Sequence, residues 1–285
     1  MVKPDCSVRP FYGAIRREDR VAGFTLTDRV YEAGLYIPRH AHACPFFCLV
    51  LRGAYTESYG SRDRDYGPLT VVFHPEGDVH SDRFHGSGGR LFNVAVPPPW
   101  GARVRAEAPL LDCQVSVDGG PPVWLATRLY REFQSPDGLS PFVVEGLILE
   151  IVGEVIRRPA SPESAPRWLR ETAEVLHARF RENLSLDEVA RTAGVHPAHL
   201  ARVFRQFLGC TVGDYLRQLR IECACRRLTS SDASLVEIAL AAGFADQSHF
   251  SRTFKRHTGL SPVAFQKSFG RRKADAKECS PGARP

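Results

Sequence analysis

The 285-residue chain has no apolar run approaching the roughly 20 residues that cross a bilayer, and no basic, apolar leader of the secretory kind at its N-terminus. These absences make a cytoplasmic protein without a membrane partner the expectation. There is no CxxC either. The eight cysteines, at positions 6, 44, 48, 113, 210, 223, 225 and 279, form no regular framework, which suits reduced thiols better than disulfides. Cys223 and Cys225 stand two apart on a predicted helix, so they fall on different faces and are poorly placed to chelate together. Nor does a second cluster of acid, base and nucleophile stand out beyond a few histidines discussed below, which weighs against an enzyme.

Acidic charge is scarce in the second half. Of the 38 Lys and Arg and 32 Asp and Glu, residues 167–285 hold 20 and 12, a balance of +8, leaving 18 and 20, or −2, for residues 1–166. A basic surplus suits a polyanion and predicts salt-sensitive binding. The length allows two domains with separate cores.

The basic half also repeats itself. SLDEVARTAG at 185–194 returns as SLVEIALAAG at 234–243, offset by 49, and HLARVFRQFLG at 199–209 returns as HFSRTFKRHTG at 249–259, offset by 50. Each copy reads as helix, turn, helix. In the first, Leu186, Val189, Ala190 and Ala193 recur at helical spacing, Ser185 and Glu188 fit a capping box, and Gly194 permits the left-handed backbone that ends a helix. A second helix begins near Pro197 and has Leu200, Val203, Phe204 and Phe207 on one stripe, with Ala198, Ala201, Arg202 and Arg205 on the other. The second copy follows suit: Leu235, Ile238, Ala239 and Ala242 lead to Gly243, then Phe250, Thr253 and Phe254 face inward while Ser248, Ser251, Arg252 and Lys255 face outward. A helix pair with a tight turn and Arg on the free face of its second helix has the shape that enters a DNA major groove.

This duplicated unit, with GFADQSHFSRTFKRHTGLSP at 243–262 and DYLRQLRIECACRRL at 214–228 between the copies, strongly resembles the AraC-type transcriptional regulators over about a hundred residues. The resemblance implies two recognition helices in successive major grooves of double-stranded DNA, joined by one long helix, here Val212 to Leu228. It places Arg202 at base edges, Ala198 and Ala201 near thymine methyls, and Arg205 near the backbone. In the second copy Gln247, Ser248, Ser251 and Arg252 are the reading candidates, with Lys255 and Arg256 on phosphates. RNA polymerase would be a further partner if the protein activates transcription.

The first half changes to short β-rich runs: Phe24–Arg29, Leu35–Ile37, Phe46–Leu51, Tyr55–Tyr59, Leu69–Phe73 and Leu91–Val96, with Leu110–Val117 as one more, a pattern that suits a barrel or sandwich. Gly34, His40, His42, Phe46 and Gly53 have the spacing of the first motif of the cupin superfamily, and Pro75, Gly77 and His80 that of the second. Phe46 stands where that family has Glu, and Phe84 where it has Asn. The resemblance implies a cupin-like sensor in front of the DNA-binding half, with His40, His42, Phe46 and His80 around a small-molecule effector whose identity is unknown. In cupin enzymes the positions of His40, His42 and His80 ligate metal, and a divalent ion such as Zn, Fe or Ni is open here too. The alternative is a set of hydrogen-bonded histidines in a pocket wall, with no cofactor. A metal-dependent cupin enzyme tethered to DNA is the competing functional class. His74 and His85 read as loop or surface residues.

The expected fold class is therefore α+β in two domains: a cupin-like β-barrel with two following helices, then an all-α domain of two helix-turn-helix units joined by a long helix. Residues 1–157 form the effector-binding and dimerisation domain, 158–166 a proline-rich linker, 167–269 the DNA-binding domain and 270–285 a disordered tail. Met1–Arg20 reads as a loosely attached lead, and Pro97–Trp100 as punctuation. The following helices are Val123–Gln134 and Pro141–Arg157, and the broad apolar face of the second, Val144 to Ile156, either covers the barrel or forms a homodimer interface.

Overall fold

A computed structural model describes residues 12–60, 62–107, 114–156 and 165–269. The lead before residue 12, most of the linker and the tail from 270 lie outside the described residues. The chain divides into two compact units, Met1–Arg157 and Arg158–Pro285.

The first unit is built on antiparallel strands β1 (Ala14–Val21), β2 (Phe24–Tyr31), β3 (Tyr36–His40), β4 (Phe46–Tyr59), β5 (Arg62–Tyr66), β6 (Thr70–His74), β7 (His80–Ala95) and β8 (Val115–Asp118). Its main order is β1-β2-β7-β4-β6-β8, with β3 on β7 and β5 on β4. The expected strands at Phe46–Leu51 and Tyr55–Tyr59 are one long strand, and the run at Leu91–Val96 is the end of another. Both change partners midway: β4 pairs with β6 through Phe46–Leu49 and with β5 through Tyr55–Tyr59, while β7 pairs with β3 early and β2 late. The change falls at Gly53, opposite Gly89, where β4 and β7 slip register on both sides. Gly53 has φ +79°, and a Cβ there would overlap the Gly88 carbonyl, so only glycine lets the two strands meet.

Three expectations need correction. Part of the lead is β1, held in register on β2 from Ala14↔Val30 to Val21↔Phe24. Its charged residues run unbroken from Arg16 to Arg20 and none of its residues is fully buried, as an edge strand allows, which hid it. The punctuation at Pro97–Trp100 opens helix α1 (Pro98–Glu107), because prolines suit a first helical turn. The last strand begins at Val115; residues 110–113 lie outside the described residues.

Helix α2 (Gly120–Gln134) lays Val123, Ala126, Leu129, Tyr130 and Phe133 on the sheet, with Phe92 of β7 5.2 Å from both the Tyr130 and Phe133 rings. A buried polar knot fixes this docking. Arg90 donates to both Asp28 oxygens at 2.9 and 2.6 Å, and the Tyr130 hydroxyl donates to Asp28 at 3.0 Å. Helix α3 (Ser140–Ile156) packs on α2 and buries Val144, Leu147, Ile148, Ile151, Val152 and Val155 within its own unit.

Among the described residues the second unit is all helical: α4 (Arg167–Arg179), α5 (Leu186–Thr192), α6 (Pro197–Leu208), α7 (Val212–Ser230), α8 (Leu235–Ala241), α9 (Gln247–Thr258) and α10 (Pro262–Phe269). Both capping boxes form. The Ser185 and Ser234 hydroxyls accept from the Glu188 and Glu237 amides, and those carboxylates accept from the serine amides at 2.8 Å. Asp246 caps α9 at 2.7 Å and the His196 ring caps α6 at 3.3 Å. Leu200, Val203 and Phe204 join Leu169, Leu176, Val189 and Leu216 in one core. The second copy is held by a chain of rings, Phe244, Phe250, Phe254, Phe265 and Phe269, at successive centroid distances of 5.3, 5.4, 5.3 and 4.5 Å. α7 packs on helices of both copies and buries Leu216, Leu219, Ile221, Cys223, Cys225 and Leu228.

Candidate functional site

Two places collect the residues singled out in the sequence. The first is the outer faces of α6 and α9. With Leu200, Val203 and Phe204 committed to the core, helical periodicity turns Ala198, Ala201, Arg202 and Arg205 to the surface, and all four are exposed. Gln206, which sequence reasoning passed over, is exposed beside them. On α9, Gln247, Ser248, Arg252, Lys255 and Arg256 are exposed and Ser251 is half-buried. The Arg202 guanidinium lies 3.2 Å from the His199 ring. In both copies the C-terminal end of the helix is closed by a glycine in the left-handed conformation, Gly209 at φ +71° and Gly259 at φ +73°.

The second place is a pocket among β3, β4, β6 and β7. His40 and His80 are register partners on β3 and β7, while His42 lies just beyond the end of β3 and reaches the same space through the turn. The three rings meet at centroid distances of 4.3 Å (His40–His80), 4.9 Å (His40–His42) and 5.4 Å (His42–His80). Phe46 lines the pocket with His42 at 4.5 Å.

His74 is not a surface residue. It ends β6 directly opposite Phe46 of β4, is buried, and stacks on the Phe46 ring at 4.2 Å with 4° between planes. His85 is exposed, although on β7 rather than in a loop. The pocket also holds an acid that sequence reading missed: Glu57, on the far half of β4, is fully buried. Its Oε1 lies 3.4 Å from His74 Nδ1, and neither oxygen receives a hydrogen bond of good geometry. The signal was Tyr55, Glu57 and Tyr59 alternating at strand period, with an acid in the middle of an otherwise apolar face.

Backbone carbonyls fix two of the tautomers. His40 Nδ1 donates to Pro38 at 2.9 Å and His80 Nδ1 donates to Asp78 at 3.1 Å, which leaves each Nε2 with a free lone pair. Burial dominates the electrostatics. It pushes His42 down to about 3, helped by His80 and His40, and His80 down to about 4, helped by His40. His40 and His74 are lowered by burial as well. In the other direction, burial and then Asp82 push Glu57 up to about 9, opposed in part by the Tyr59 hydroxyl, and burial pushes Asp82 up to about 7. Near neutral pH the pocket therefore contains uncharged imidazoles, the form that binds metal. The ligand atoms of His40, His42 and His80 lie within 4.8 Å of one another, as do those of Glu57, His74 and His80. The cavity measures about 30 Å³. That is room for an ion or a water or two, whereas organic ligands occupy roughly 300 Å³ or more.

No helix among the described residues is long and apolar enough to cross a membrane. Residues 189–268 match the helix-turn-helix domain family. The probable transcription factor PqrA of Proteus vulgaris is 38% identical over 87 residues, covering 30% of this chain and 71% of its own. The HTH-type transcriptional activator AarP of Providencia stuartii is 34% identical over 93 residues, covering 33% and 69%. A solved AraC-type transcriptional regulator from Chromobacterium violaceum is 32% identical, covering 40% of this chain and 95% of that one, with a TM-score of 0.34. The family match falls on the unit with the repeated helices, and the relatives give no support to the enzyme reading. Through that unit, the chain belongs to the AraC-type family of DNA-binding, helix-turn-helix transcriptional regulators.

Proposed function

We propose that this regulator reads two major-groove segments of one duplex, with α6 in the first and α9 in the second, and that the histidine-lined pocket of its other unit governs that reading. The observation that carries the proposal is the duplicated outer face: the same position of each second helix presents an exposed arginine, Arg202 and Arg252, above a separate core. A guanidinium there matches the two acceptors of a guanine edge. Ala198 and Ala201 are small enough for close approach to thymine methyls, and Gln247, Ser248 and Ser251 offer hydrogen bonds to bases. Arg205, Lys255 and Arg256 serve as phosphate anchors.

In this reading the sheet unit is a cupin-like barrel in which His40, His42, Phe46 and His80 face the effector. Its effector has to be of ion or water size, or the pocket has to open to admit it, because the cavity is about 30 Å³. Most of the apolar face picked out in the sequence is buried, but Ile156 of that face remains exposed and lines up with Phe142 and Leu149, at 36, 76 and 44% exposure, spaced by seven residues along α3 with Gly146 and Gly153 between them, as a surface for a homodimer. That spacing keeps them on one side of the helix, and the glycines allow a second copy of α3 to approach. An activator with this architecture would bring RNA polymerase to the adjoining DNA.

Selection of bound duplexes from a random pool at two salt concentrations tests the DNA reading. Two conserved blocks about one helical turn apart are expected. A single block would mean that only one helix reads sequence. Salt-sensitive binding with no enriched block would reduce the basic unit to non-specific attachment.

A further inference from the structure

We propose that Glu57, His74 and His80 together bind one divalent transition-metal ion, giving the pocket a two-imidazole, one-carboxylate site that differs from the three-histidine set expected from the cupin-like spacing. The proposal deepens the reading of this pocket as the ligand site by naming the class of ligand.

Three features converge on it. The three side chains are all buried, and their ligand atoms lie within 4.8 Å of one another, near enough for an ion to draw them to the roughly 2.0–2.2 Å bonds of zinc. Second, the imidazoles are held in place from behind, as metal-binding histidines usually are. His80 donates its Nδ1 proton to the Asp78 carbonyl, and His74 is clamped flat against Phe46. Third, Glu57 is a fully buried carboxyl group whose oxygens receive no well-directed hydrogen bond, a costly arrangement that a bound cation would relieve.

His40, His42 and His80 also converge, but His80 has a single free lone pair and cannot serve both sets. An ion on the three histidines would leave the buried Glu57 oxygens unsatisfied; an ion beside Glu57 would engage them. Phe46 thus takes the usual carboxylate position of the motif without emptying the pocket of carboxylate. It packs His74, and the acid arrives from the other end of the same strand. Two imidazoles with one carboxylate suit zinc, iron and similar ions.

The test is titration of zinc into the metal-free full-length chain against a chelating indicator, with the thermal midpoint and the affinity for a selected duplex followed on the same samples. The wild-type chain should bind one equivalent and gain thermal stability. Glu57→Gln and His74→Gln should each weaken zinc by at least the roughly 10–100-fold that loss of an outer-shell partner already costs, and by more than His40→Gln or His42→Gln. Glu57→Gln is isosteric with the buried carboxyl group, so its metal-free form should melt close to wild type, which keeps loss of binding distinct from loss of fold. Larger losses in the His40 and His42 variants than in the Glu57 and His74 variants would overturn the assignment. So would a folded wild-type chain that takes up no zinc; persistent duplex binding in that case would leave the DNA reading standing.

Discussion

A Cβ on Gly243 would lie 2.6 Å from the Arg181 Cα and 2.8 Å from its carbonyl oxygen, whereas the equivalent Gly194 of the first copy has nothing within 4 Å. Both have positive φ, +84° and +67°. Alanine at Gly194 should therefore cost only the left-handed backbone, about 1 kcal/mol. At Gly243 it must also displace the backbone after α4, and more than about 2 kcal/mol is expected. Urea denaturation of the two variants compares them directly, and equal costs would mean that this close approach is absent in solution.

The capping boxes carry a pH signature. The Ser185 and Ser234 amides donate to Glu188 and Glu237 and hold both carboxyls below their usual value of 4.5. A depressed carboxylate stabilises the fold above its unfolded value, and that contribution is lost as pH falls through the folded one. Stability of the helical unit should thus decline below about pH 4.5, and the Glu188→Gln, Glu237→Gln double variant should show a shallower decline in a pH series of thermal midpoints. Ser185→Ala or Ser234→Ala should each cost about 1 kcal/mol at neutral pH.

Arg202→Ala and Arg252→Ala should each weaken the selected duplex by about 1–3 kcal/mol and a scrambled duplex much less. Fluorescence anisotropy on both duplexes measures this. Equal losses would reassign the two arginines to phosphates.

The Asp28 knot in the first unit should be unforgiving. Asp28→Ala leaves the partly buried Arg90 guanidinium without its two carboxylate bonds, and a loss of about 3–5 kcal/mol is expected. Tyr130→Phe removes the hydrogen bond its hydroxyl donates to Asp28 and the one it accepts from Arg90, and should cost about 1–3 kcal/mol. Denaturant titration ranks the two.

If α3 pairs with a second copy, Leu149→Arg should yield monomers by analytical ultracentrifugation without lowering the thermal midpoint of the unit, since Leu149 lies outside its core. Unchanged mass would exclude this face.

The helical unit was legible because its signals are local. Caps, turn glycines and a 3.6-residue stripe each lie within one helix, and duplication states them twice. Helices α4 and α10 lie outside those repeated signals. The strand unit was less legible for a specific reason. Along β4 the pocket is lined by Phe46 and Cys48 and then by Tyr55 and Glu57, an even run followed by an odd one, because register slips on both sides of Gly53 change which face each residue takes. Alternation read from sequence cannot see such a shift. Glu57 was missed, and His74 was misjudged because its contact with Phe46 exists only through the β4–β6 register. The histidines of the motif were found through spacing, even though His42 lies outside a strand.

The long helix between the two copies also fixes their phase. At about 1.5 Å and 100° per residue, one residue inserted near the middle of α7 would swing the second reading face about a quarter-turn around the helix axis while moving it hardly at all along it. Seven inserted residues would nearly restore the angle but add about 10 Å. On the proposed reading, a substitution on either outer face would alter which bases are preferred, whereas the separation between the two blocks of an operator would follow from the length of this one rod and change only in discrete steps.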